Sequence, residues 1–114
     1  MVTQIQKQKE VQFSAKFQDH HMQVNIEGTV VGQDIKRMSR FLRNLLTVPV
    51  ESWKLQFEHL DALSLRGIRI ILKFVQALKR QGKHVEIIGA SPMFVLLVNE
   101  MNLQHWFETA AMEL

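Results

Sequence analysis

Residues 53–89 read WKLQF, EHLDALSLRG, IRIILKFVQALKRQG and KHVEIIG, and this stretch decides the fold. Trp53, Leu55 and Phe57 alternate with Lys54 and Gln56, the period-2 pattern of a half-buried strand. From Ile68 the period changes. Ile68, Ile71, Leu72, Val75 and Leu78 form a helical core stripe. Lys79 and Arg80 fall in its last turn, where cations suit the helix dipole, and Gly82 follows as a stop. Val85, Ile87 and Ile88 read as a second strand. Strand, crossover helix and strand make a βαβ unit, expected to be right-handed with parallel strands.

Outward from that unit, the chain opens with antiparallel β structure. Val11, Phe13, Ala15 and Phe17 alternate with polar residues, which predicts a strand with one face buried. Met22, Val24 and Ile26 alternate likewise, so the intervening QDHH reads as a hairpin loop. Gly28 and Gly32 bracket a bend or short strand. A helix is expected from Asp34, read as its N-cap, with an apolar stripe of Ile35, Met38, Leu42 and Leu45. Lys36, Arg40 and Arg43 mark another face, suited to solvent or to an acidic partner or anionic lipid surface. Pro49 stops the helix. Downstream, Ser91-Pro92 predicts an N-cap with proline at the first helical position. Val95, Leu96 and Val98 are read as the body of that short helix, and Asn102 as its left-handed terminator. Leu103, Trp106 and Phe107 return to the core. Residues 1–9 are expected to be flexible, and the tail TAAMEL to extend a last helix.

Composition narrows the function. At 114 residues, 46% hydrophobic and 22% charged, the chain is expected to be one globular domain spanning 1–114. No apolar run reaches about 18 residues, so no membrane insertion is expected. The start has no secretory h-region, and with no cysteine the default is a cytoplasmic protein without thiol chemistry. A formal net charge of +3, from 14 Lys and Arg against 11 Asp and Glu, does not indicate nucleic-acid binding. His20 and His21 beside Asp19 are better read as a solvated turn than as metal ligands. His84 and Glu86 share a strand face, and Glu58 and Asp61 flank the central loop without a partner nucleophile. No phosphate-binding glycine motif is present. No enzyme, cofactor or metal centre is therefore expected.

The remaining candidate is the segment Leu60-Asp61-Ala62-Leu63-Ser64-Leu65-Arg66-Gly67, read as a loop entering the long helix. Loops of this kind carry functional surfaces in α/β sheets, and free N–H groups there favour an acceptor or anion. Ser64 also suits a helix cap.

From Leu55 to Phe107 the ordered set KLQFEHLDAL, SLRG, the long helix, KHVEIIG, ASPMFVLLV and MNL resembles the STAS domain, named for sulfate transporters and anti-sigma factor antagonists. That resemblance implies a STAS-like α/β fold, a mixed sheet with helices mainly on one face and an antiparallel edge strand. It implies a bacterial signalling protein in transcription regulation that docks a partner, an anti-sigma kinase-like factor. The alternatives are a cytoplasmic subunit of a lipid ABC transporter and a small anion- or nucleotide-binding domain; a homodimer stays open. In the family the corresponding loop ends Asp-Ser-Ser-Gly with a phosphorylatable hydroxyl. Here Ser64 takes the aspartate position, Leu65 the phospho-acceptor position and Arg66 the next serine, with Gly67 kept. The usual phospho-switch is therefore not expected at Leu65; Ser64, whose hydroxyl a one-residue shift redirects, is the alternative left open. The expected partner-binding residues are Asp61, Ser64, Leu65, Arg66, Gly67 and Arg69.

Overall fold

The computed structural model describes residues 11–107; the flexible segment expected at 1–9 and the tail helix expected at TAAMEL lie outside them. The first strand, β1 (Gln12–Gln18), turns directly into β2 (His21–Val30), with Gln18 opposite His21. The two-residue loop places both Asp19 and His20 at positive φ, 51° and 67°. This is the primed turn whose twist matches a hairpin, built here without glycine. Because an L side chain is strained in that region, His20→Gly is expected to stabilise the fold by about 0.5–1 kcal/mol. Thermal unfolding of the two proteins checks it.

β1 is an edge strand, and its expected buried face is a correction. Only Val11, just before the strand, and Phe13 are half-covered; Phe13 is stacked on Phe41 at 5.7 Å with the Arg37 guanidinium 5.5 Å from its ring centre. Ala15 is exposed and Phe17 is 58% exposed, since among the described residues nothing covers this end of the strand.

The first helix, α1, spans Gln33–Leu45. Its N-cap is Gly32 at φ 60°, not Asp34. Gly32 turns the chain there, which puts Asp34 inside the first turn, where its carboxylate accepts from Arg37 at 2.7 Å. Next come β3 (Ser52–Phe57) and β4 (Leu60–Leu63). β3 runs parallel to the first half of β2, and β4 runs parallel to its last three residues, with a register shift between Gly28 and Thr29. The central segment is thus only partly a loop. Its first four residues are a strand, because the Gly28 N–H donates to the His59 carbonyl at 2.9 Å and brings Leu60 and Leu63 under cover.

The long helix α2 (Leu65–Arg80) leads to β5 (His84–Ala90), parallel to β3. Gly82, at φ 79°, closes α2: its N–H donates to Lys79 and the Lys83 N–H reaches back to Leu78. The last helix, α3 (Pro92–Glu100), starts at Ser91, whose hydroxyl accepts from the Phe94 N–H at 3.1 Å. It ends in the same kind of turn with Asn102 at φ 55°, as expected. The stripe of α3 differs from expectation. Phe94, Val95 and Val98 are buried while Leu96 is 58% exposed, because residue 96 lies roughly opposite the 94/98 line at about 100° per residue.

Sheet order is β1-β2-β3-β5, with β4 on β2. Trp53 meets Phe74 of α2 at 5.9 Å and Phe57 meets Phe94 of α3 at 4.7 Å, so the helices share one sheet face. Gln23, Asn25, Lys54, Gln56 and Glu86 alternate onto the other, which is half-buried or exposed. No described helix is long and apolar enough to cross a membrane.

Candidate functional site

The site grows from the junction of β4 and α2. Leu60 and Leu63 anchor β4 in the core, and Ser64 then adopts an extended conformation, φ −75° and ψ 165°. Its hydroxyl accepts from the Gly67 N–H at 3.1 Å, and its carbonyl accepts from Ile68 at 3.1 Å. Ser64 is therefore the N-cap of α2. The half-buried hydroxyl is committed to one of the free N–H groups that the helix start offers.

Gly67 is buried where the first turn of α2 presses on its neighbours. A Cβ built there would meet the Leu63 side chain, whose Cγ lies 2.9 Å away, and Ile35 Cδ1 at 3.0 Å. That closeness fixes how α2 sits between β4 and α1, and so fixes the direction of the residues before it. Leu65 points outward, 57% exposed, and Arg66 and Arg69 are exposed beside it. Leu65 and Arg69 are four apart and adjacent on the helix surface. Asp61 is exposed one strand earlier. Of the six residues singled out from the sequence, then, Asp61, Leu65, Arg66 and Arg69 are solvent-facing. Ser64 and Gly67 instead shape the terminus. None of the ion pairs among the described residues involves Arg66 or Arg69.

A groove between α1 and α2 joins this surface. Arg66 and Ile70 line one end of it with Lys36, Arg40 and Arg43, in a hollow of about 230 Å³. The other end, about 160 Å³, has Leu42, Leu46 and Phe74 as its floor. The sequence marked the basic face of α1 through the spacing of 36, 40 and 43. That this face meets Arg66 depends on how the two helices approach, which no local pattern records.

A family model described as the STAS domain matches residues 12–113. No curated protein matches the chain by sequence. Among solved structures, the chain is similar to the phosphorylated form of the Bacillus cell fate determinant SpoIIAA, at 14% identity over 87% of this chain and 91% of that one, with a TM-score of 0.67. An anti-sigma factor antagonist from Mycobacterium paratuberculosis is 10% identical over 86% of this chain and 83% of that one, with a TM-score of 0.76. A variant of RsbS from Moorella thermoacetica is 18% identical over 78% and 76%, with a TM-score of 0.64. At such identities these likenesses bear on the fold alone.

Proposed function

The chain belongs to the STAS domain family, and from that membership we propose that it is a non-enzymatic docking module whose contact surface is the start of α2. The partner is a regulatory protein of the anti-sigma kinase type, and the role is that of an anti-sigma factor antagonist. The observation that carries this reading is the pairing of an exposed leucine with cations where the family places its acceptor hydroxyl. Leu65 is 57% exposed on the first turn, and Arg66 and Arg69 flank it. An apolar anchor beside arginine is the composition of an interface hot spot.

Recognition by contact also fits the chemistry of the terminus. Leu65 has no hydroxyl to modify, and the Ser64 hydroxyl already caps the helix. A similar structure was determined in a phosphorylated form; here the covalent step is replaced by a fixed side chain. The protein is accordingly competent to bind without prior dephosphorylation.

Capture of the full chain with its partner tests the assignment. Leu65→Asp buries a carboxylate in the interface and is expected to weaken binding about 30-fold or more, the equivalent of about 2 kcal/mol. Arg66→Glu is expected to weaken it as well. Leu96→Asp is the matched control, since Leu96 is as exposed as Leu65 but lies on α3; it should bind as the unaltered protein does. Equal capture by Leu65→Asp, Arg66→Glu and the unaltered protein would remove the reading. Intact-mass measurement of protein from its own cells is expected to find Ser64 unmodified. A stoichiometric phosphate there that abolished the complex would contradict recognition by contact alone.

A further inference from the structure

Five cations surround the α1–α2 groove: Lys36, Arg40, Arg43, Arg66 and Lys73. No carboxylate lines it, and none of the five is ion-paired among the described residues. Two of these placements work against the fold. Lys36, Arg40 and Arg43 follow one another at spacings that put like charges side by side. Arg66 lies in the first turn of α2, which has no acidic residue, where the helix dipole disfavours a cation. An anionic occupant relieves both.

The shape of the groove selects among anions. From Lys36 to Leu46, the residue that caps α1, it runs for ten helical rises, about 15 Å at 1.5 Å per residue. That is longer than a single phosphate. Its floor is apolar, with Ile70 in the middle and Leu42, Leu46 and Phe74 towards one end, and it is recessed between two helices. A flat bilayer meets the rim and misses the floor. A helix with apolar residues along one edge and carboxylates beside them reaches both.

We propose that the α1–α2 groove binds an acidic amphipathic helix of a partner protein, its apolar edge over Ile70 and its carboxylates on Arg40, Arg43 and Arg66. The inference rests on the docking role argued above and deepens it, because Arg66 belongs to both surfaces. It adds the chemistry of the partner.

The test uses the full chain and a labelled 14-residue peptide, Glu-rich with Leu at every third or fourth position. A scrambled peptide of identical composition and vesicles one-third phosphatidylglycerol serve as competitors for the assignment. The ordered peptide is expected to bind at least about fivefold more tightly than the scrambled one. The double variant Arg40→Glu with Arg43→Glu, both exposed positions whose fold circular dichroism verifies, is expected to bind it at least about tenfold more weakly, and added salt should weaken binding further. Carbodiimide coupling should join the peptide to Lys36 and Lys73. Equal affinity for the scrambled peptide overturns the proposal, as does coupling spread evenly to Lys54 and Lys83. Vesicle binding that the arginine pair controls, without peptide binding, assigns the groove to membranes and overturns it too. If Leu65→Asp abolishes partner capture while the peptide fails to bind, the docking role stands and the groove falls. Peptide binding with capture unaffected by Leu65→Asp gives the reverse.

Discussion

Gly67→Val is expected to lower stability by about 3 kcal/mol and to remove partner binding with it. Two opposing effects meet at this position. Replacing glycine inside a helix normally helps, by up to about 1 kcal/mol for alanine. Here the added carbon overlaps the Leu63 side chain and crowds Ile35 Cδ1, both buried, so these side chains must repack in a closed core. Overpacking of that kind costs about 1–3 kcal/mol for a small group and more for a branched one. The clash exceeds the propensity gain. Alanine is expected to be intermediate, losing about 1 kcal/mol. For a domain of this size each kcal/mol is worth about 4–8 °C in Tm, so thermal scans separate the three proteins easily. A Gly67→Ala protein more stable than the unaltered one would mean that α2 has room to shift, and that its first turn is not held by this contact.

Phe94→Ala is expected to be the more damaging change, at about 3–5 kcal/mol. Phe94 is fully buried between Phe57, at 4.7 Å, and Phe107, at 5.4 Å edge-to-face. It ties α3 and the returning chain to the sheet, and α3 packs on β4, the strand that delivers Ser64 and Leu65. A loss of that size takes a large share of the roughly 5–15 kcal/mol that a domain has. Urea unfolding followed by the fluorescence of buried Trp53 reads it directly. A loss below about 1.5 kcal/mol would show that the aromatic cluster collapses to fill the gap, and that β4 is held by its pairing with β2 instead.

The parts of the fold that sequence made legible are those set by short-range chemistry. The switch from period 2 at Trp53–Phe57 to a helical stripe from Ile68 marks the βαβ unit, and Gly82 and Asn102 stop their helices as their conformational freedom allows. Ser64 as a cap follows from the same kind of local rule. What escaped depends on distant partners. β4 has its buried leucines three apart, not two, and becomes a strand only through pairing with β2. β1 alternates correctly, yet whether Ala15 and Phe17 are covered depends on the reach of α1. Asp34 satisfies the pattern of an N-cap, but Gly32 turns the chain first. For the site, Leu65 and Arg66 stood out against the family pattern, whereas the groove that joins Arg66 to Arg40 and Arg43 exists only once α1 lies beside α2.

Hydrogen–deuterium exchange of the full chain, alone and saturated with its captured partner, tests most directly whether docking occurs at the head of α2. Protection is expected over residues 61–69 and along 36–43 of α1, with the open sheet face at Lys54 and Glu86 unchanged. Protection confined to that sheet face, or to the exposed edge of β1, would contradict the account.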